Sequence, residues 1–128
     1  MTRRELAPYL LSDQATLREA IERLDAVRGQ LVVVIDAEGR LRGSLTDGDV
    51  RRALLRMTPM EAGVETAMNT EPVAVRRGQN PVEIQAELDV RGATQAPVID
   101  RAGRVVGLYP EHYGDAGDRD NLVVIMAG

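Results

Sequence analysis

The chain alternates helical and extended hydrophobic patterns, and that succession occurs twice. After a polar lead, Pro8-Tyr9-Leu10-Leu11 predicts a short extended segment. Leu17, Ala20, Ile21 and Leu24 then recur at the period of an amphipathic helix. Thr16 and Glu19 stand at the positions of a capping box before it, and Gly29 marks its end. The β-branched run Leu31-Val32-Val33-Val34-Ile35 predicts a strand buried on both faces. Asp36-Ala37-Glu38-Gly39 reads as a turn, with Gly39 suited to positive φ, and Arg40 to Leu45 reads as a second strand.

That second strand leads into the stretch that organises the chain, Leu41 to Leu55, LRGSLTDGDVRRALL. Strand alternation gives way to a helical stripe of Val50, Ala53, Leu54 and Met57. At the junction, Thr46-Asp47-Gly48-Asp49 gathers a hydroxyl and two carboxylates beside the free N–H groups of a helix start. Two readings stand. Thr46 and Asp49 have the spacing of a capping box, although that motif prefers Glu or Gln at its last position. Alternatively, the turn holds a ligand.

The pattern then begins again. Thr58 to Gly63 reads as a linker, Val64 to Met68 as a short helix and Pro72 to Val75 as a short strand. Asn80 caps a helix, Pro81 takes its first position, Glu83 completes a box, and Ile84 and Leu88 carry the apolar face. Pro97 to Asp100 is a strand, Arg101 to Gly103 a turn and Arg104 to Tyr109 another strand. The halves align at one offset of 64 residues, the separation of Val34 from Val98, without a gap. Val34-Ile35-Asp36 then meets Val98-Ile99-Asp100, Gly39-Arg40 meets Gly103-Arg104, and cap Thr16 meets cap Asn80. An internal duplication follows, whose units pair over a shared core. Residues 16–57 and 80–109 are expected to superpose, with Val33, Ile35, Val98 and Val106 in that core. The chain divides into a first repeat (1–63), a second repeat (64–113) and a tail (114–128).

Composition narrows the function. At 128 residues, 44% hydrophobic and 28% charged, the chain is ordinary for one globular domain. Its net charge of −4, with three tyrosines as its only aromatics, argues against nucleic-acid binding. The sequence has no apolar run of membrane-spanning length and no cysteine, so the reading is no membrane and a cytoplasmic location. One histidine, His112, near Tyr109 and Tyr113, has no partners at metal-ligand spacing, and no nucleophile–base pattern appears. The fragment is therefore not expected to be an enzyme, and no metal or resident cofactor is expected.

A tandem α-β-β-α unit ending in G-h-x-[ST]-x-x-D resembles a cystathionine-β-synthase (CBS) domain pair, also called a Bateman module. The resemblance implies an α/β (α+β) fold with pseudo-twofold symmetry and two small sheets packed with helices. It further implies adenosine nucleotides in clefts between the repeats, ribose hydroxyls held by [ST]-x-x-D, and homodimerisation through helices. Gly43, Thr46 and Asp49 match the motif. Asp47 adds a second carboxylate, and Arg51 and Arg52 are either phosphate partners or a solvated helix face. The second repeat departs from the pattern: Pro110 replaces Thr46, Tyr113 replaces Asp49, and GDAGDRDN lacks an apolar stripe.

The last residues, NLVVIMAG, form an apolar run ending in glycine. They resemble the start of a sugar-phosphate nucleotidyltransferase domain, whose buried strand enters a glycine-rich loop. A C-terminal strand completing the module's own sheet is the other reading. The resulting expectation is a regulatory, nucleotide-sensing CBS pair attached to a nucleotidyltransferase. The alternative is a ligand-free homodimerisation module of the same enzyme.

Overall fold

The computed structural model describes residues 3–28 and 30–110. The tail, with His112 and Tyr113, and Gly29 lie outside the described residues. The first repeat comprises β1 (Leu10–Ser12), α2 (Leu17–Ala26), β2 (Val32–Ile35), β3 (Leu41–Leu45) and α3 (Asp47–Leu55). The short α1 (Arg3–Leu6) and a 3-10 turn at Ala7–Tyr9 precede it. A second 3-10 turn at Val64–Thr66 leads to β4 (Val75–Arg76), α4 (Pro81–Arg91), β5 (Ala96–Ile99) and β6 (Val105–Tyr109).

The two sheets are copies. In one, β1 lies parallel to β2 and β2 antiparallel to β3; in the other, β4, β5 and β6 repeat that order. The pairing registers also repeat at the 64-residue offset. Leu11 faces Val34 as Val75 faces Val98, and Val34 faces Gly43 as Val98 faces Gly107. An irregularity falls between Val34 and Ile35 and again between Val98 and Ile99. A one-residue slip would turn each strand's buried face outward, so this agreement marks a true duplication.

The turns between the antiparallel strands repeat atom for atom. Asp36 Oδ1 accepts from the N–H groups of Glu38 and Arg40, both at 2.9 Å. Asp100 Oδ1 accepts from those of Ala102 and Arg104, at 2.9 and 3.0 Å. Gly39 and Gly103 both sit at φ 83°, the left-handed region that glycine enters without strain. The two turns then clasp each other. Leu41 N–H donates to Gly103 O and Val105 N–H donates to Gly39 O, both at 3.0 Å, around an Arg40–Arg104 bridge.

Three apolar clusters follow. Leu17, Ala20 and Leu24 of α2 pack with Val32, Val34, Leu45 and Ala53 in the first repeat. Ile84, Leu88, Val75, Ala96 and Val98 form its counterpart in the second. Between them lies a shared core of Leu6, Leu31, Val33 and Leu108, flanked by Ile35, Leu41 and Val105. The expected shared core is thus half right. Val33 and Ile35 belong to it, but Val98 and the partly buried Val106 face α4 instead. Val98 is the counterpart of Val34, not Val33, and adjacent strand residues point to opposite faces.

Local signals set most boundaries. Thr16 and Glu19 form the complete capping box of α2. Asn80 caps α4 through the N–H of Val82 at 2.7 Å, behind Pro81, rather than through the box expected with Glu83. The polar lead contains α1, too short to show a period, and its Leu6 is buried in the shared core. The expected stripe on α3 is corrected. Ala53 is buried and Val50 half-buried, but Leu54 and Met57 are exposed, at 51% and 86%. Met57 lies beyond the helix end at φ 63°, where Met57 N–H bonds Leu54 O and Thr58 N–H bonds Ala53 O. This Schellman pairing turns its side chain outward. Arg28, at φ 60°, ends α2 in the same left-handed region.

The segment after α3 is no free linker. Leu17 and Arg18 donate to Ala62 O and Met60 O at 2.8 and 2.9 Å, so it satisfies the open N–H groups of α2. Val64, Ala67 and Met68 are buried in the first repeat's cluster.

Candidate functional site

The Thr46–Asp49 turn forms where β3 ends, opposite Val32, and α3 begins. The capping box is complete despite its aspartate. Thr46 Oγ1 accepts from Asp49 N–H at 3.4 Å, and Asp49 Oδ2 accepts from Thr46 N–H at 2.9 Å. Thr46 Oγ1 also donates to Asp49 Oδ2 at 3.0 Å. The shorter aspartate reaches back at the expense of a longer bond to the hydroxyl.

The other carboxylate oxygen has a different partner. Arg52 Nη2 donates to Asp49 Oδ1 at 2.8 Å. The Asp49 side chain is 13% exposed and that of Arg52 63%. A Cβ at Gly48 would stand 3.4 Å from Arg52 Nη1, a contact that the flexible end of the arginine can accommodate. Asp47 is exposed and lines a shallow cavity of about 320 Å³ between α2 and α3, with Ile21, Asp25, Arg28 and Val50. The turn's two carboxylates therefore do not converge on one pocket. Arg51 is exposed, and among the described residues it stands in no ion pair.

Gly43 is buried for a packing reason that the motif alone does not reveal. A Cβ at this position would lie 2.7 Å from Asn69 O and 2.8 Å from Met68 Sδ. Asn69 pairs there with β3: Ser44 N–H donates to Asn69 O at 3.0 Å, and Asn69 N–H to Ser44 O at 2.8 Å. The glycine thus lets the connection between the repeats lie on the strand. Its sequence signal was the glycine itself; its neighbours are distant in sequence.

Two larger cavities lie at the other end of the sheets, near the clasped turns. One, about 580 Å³, runs between the repeats and is lined by Leu6, Leu10, Ile35, Gly39, Arg77 and Val105. The second lies beside Asp100. The N–H groups of Arg40 and, less strongly, of Glu38 hold the Asp36 carboxyl below the usual carboxylate range. Those of Arg104 and Ala102 do the same for Asp100. Among the described residues, no group of His, Asp and Glu side chains could hold a metal ion, and no helix is long and apolar enough to cross a membrane.

Comparison with known proteins bears on this geometry. Residues 1–56 match the family model of the CBS domain. The CBS pair of protein MJ0100, solved with 5′-methylthioadenosine and S-adenosyl-L-methionine, superposes with a TM-score of 0.70 at 20% identity, over 91% of each chain. The CBS protein PAE2072 of Pyrobaculum aerophilum, solved with AMP, gives 0.68 at 22%, over 94% of this chain and 92% of that one. The fold is that of a CBS domain pair. Among curated proteins, arabinose 5-phosphate isomerase GutQ of Shigella flexneri is 30% identical over 107 residues, which is 84% of this chain and 33% of the relative. Arabinose 5-phosphate isomerase KpsF of Escherichia coli is 28% identical over 95 residues, 73% of this chain and 29% of the relative. The chain spans about a third of the length of these relatives.

The relatives correct one expectation. They are sugar-phosphate isomerases, which overturns the expectation of an attached nucleotidyltransferase. The apolar tail NLVVIMAG was too short to specify an enzyme class, because a β-branched run before glycine fits many buried strands. It also lies outside the described residues.

Proposed function

We infer that this CBS pair is a regulatory sensor. Its first repeat binds the ribose of an adenosine nucleotide at Thr46 and Asp49, and occupancy biases an attached enzyme that acts on sugar phosphates. The observation that carries this reading is the division of labour at Asp49. Oδ2 holds the helix cap, whereas Oδ1 is held by one exposed arginine. A ribose hydroxyl can replace Arg52 at Oδ1 without dismantling the cap, and the released guanidinium is then placed to meet a phosphate. The pairs of the same fold solved with AMP or with S-adenosyl-L-methionine support the ligand class. The isomerase relatives support the enzyme class. Asp47 and Arg51, exposed on the first turns of α3, lie at the edge of this site rather than in it.

Titration calorimetry with AMP, ADP, ATP and GMP tests the assignment, using the parent and Asp49→Asn. Asparagine keeps an acceptor for the cap but loses the charge. Binding to the parent with about 10-fold or greater loss in the variant supports the sensor, since charge-assisted bonds contribute roughly 1.5–3 kcal/mol. Absence of heat and of any thermal shift on the parent would overturn it.

A second reading rests on a different observation. Leu54, Leu55 and Met57 expose 51%, 77% and 86% of their surface at one end of α3. Such a patch suits self-association, and a ligand-free homodimerisation module is the function left if no nucleotide binds.

A further inference from the structure

The second repeat carries a charged corner that its symmetry partner lacks. Arg76 ends β4 and Arg77 follows it, and Arg101 and Arg104 lie in the turn between β5 and β6. All four line one open cavity of about 640 Å³, with Ile99 and Asp100 in its wall. Arg104 is paired with Asp100 at 3.5 Å. Among the described residues, Arg76, Arg77 and Arg101 stand in no ion pair, so the lining sets four guanidinium groups against the one carboxylate of Asp100, while Arg77 also borders the neighbouring cavity that holds Asp36 and Glu38.

The duplication supplies an internal control. At the 64-residue offset, these four positions correspond to Ser12, Asp13, Ala37 and Arg40 in the first repeat. There the same strand end and the same turn are built with one carboxylate and one guanidinium, and Asp13 lies 4.0 Å from Arg42. Strand pairing and turn geometry are the same in both repeats. The fold therefore has no need of arginines at this corner, and their accumulation in one copy calls for another cause.

We propose that the Arg76–Arg77–Arg101–Arg104 corner is an anion site for a small molecule bearing two or more linked phosphates, separate from the Thr46–Asp49 turn. Guanidinium groups meet phosphate oxygens in paired, planar contacts, and several around one cavity match several phosphates better than a single carboxylate. The site lies at the opposite end of the sheets from Thr46. Thr46 follows the β3 end paired with Val32, whereas this corner lies at the β5 end near Ile99, beside the clasped turns. A small ligand fits better than a nucleic acid, since the positive charge is confined to one corner without aromatic neighbours. Because Arg104 also bridges to Arg40, an anion here bears directly on the contact between the repeats.

Inorganic pyrophosphate is the probe, titrated into the full chain in phosphate-free, low-salt buffer and followed by calorimetry and by amide NMR. Saturable binding is expected, with the largest shifts at Arg76, Arg77 and residues 101–104. The exposed double variant Arg76→Gln/Arg101→Gln should weaken it at least tenfold while its melting temperature stays within a few degrees of the parent's. Arg18→Gln, on α2 and paired there with Glu61, should leave it unchanged. No binding at millimolar pyrophosphate would overturn the proposal. So would an equal loss in Arg18→Gln, which indicates diffuse attraction, or shifts confined to Thr46–Asp49. Should the double variant unfold, Arg77→Gln and Arg101→Gln singly decide the matter by the same titration, with parental affinity in both counting against the site. An RNA oligomer that binds the corner where pyrophosphate does not would overturn the small-ligand assignment. Failure of AMP to bind at Asp49 would leave this result unaffected.

Discussion

Arg40 and Arg104, equivalent residues of the two repeats, face each other on an antiparallel bridge, and this bridge is where the pseudo-twofold axis crosses the backbone. The reciprocal bonds Leu41 to Gly103 and Val105 to Gly39 are one interaction written twice. The backbone sets two arginines opposite each other, and Asp100 pairs with one of them, at 3.5 Å.

Gly39 and Gly103, both at φ 83°, shape the clasp and supply its acceptors. Gly39→Ala and Gly103→Ala should each cost about 1–2 kcal/mol, the cost of a side chain in the left-handed region. Because each turn supports the other, the double variant should depart from additivity by roughly 0.5 kcal/mol or more. Urea unfolding of the four proteins measures this, and strict additivity would show that the turns act independently.

The clasp should also respond to acid. Asp36 and Asp100 have pKa values lowered from an ordinary 3.8, chiefly by the backbone N–H groups of Arg40 and Arg104. A carboxylate with a lowered folded-state pKa adds stability that is full above 3.8 and lost as pH falls through the folded value. Thermal melts from pH 5 to about pH 2 should show the midpoint falling in that window, with a shallower fall in Asp36→Asn/Asp100→Asn.

Gly43→Ala places a Cβ within 2.7 Å of Asn69 O, a backbone atom that cannot move without breaking its pairing with Ser44. Overpacking of this kind costs about 1–3 kcal/mol. Hydrogen exchange should show the amides of Ser44 and Asn69 losing protection before those of β5 and β6. Equal loss across both sheets would contradict a local effect.

Leu55→Glu should leave the fold intact, since Leu55 is 77% exposed. If α3 carries the self-association surface, the variant should sediment as a monomer where the parent sediments as a dimer. A parent that is monomeric at millimolar concentration removes the dimer from consideration.

Elements whose cause is local were legible in the sequence. The α2 capping box, the Asp36 and Asp100 turns and the helix start at Asn80 each need only a few adjacent residues, and the duplication let one half check the other. What escaped was set by distant contacts. Val98 was assigned to the wrong face because a continuous β-branched run has no alternation to orient it. The ends of α2 and α3 escaped because Arg28 and Met57 take left-handed caps usually given to glycine, while Gly92 follows the rule in α4. Gly43 was recognisable as special, but its close neighbours Met68 and Asn69 come from the end of a segment that read as a short helix, with nothing in it to show that it lies on β3. At Asp49 the sequence offered a cap or a ligand site, and the geometry gives each carboxylate oxygen a separate partner.

That segment also decides where the protein could be divided. Val64, Ala67 and Met68 fill the first repeat's interior, and Asn69 extends β3 by a bridge. A half-protein ended at Gly63 would expose the floor of its own core, whereas one ended beyond Asn69 would carry its own closure. For fragment complementation, the junction to cut is therefore the exposed stretch around Thr70 and Glu71, which leaves each half a complete sheet with its helix.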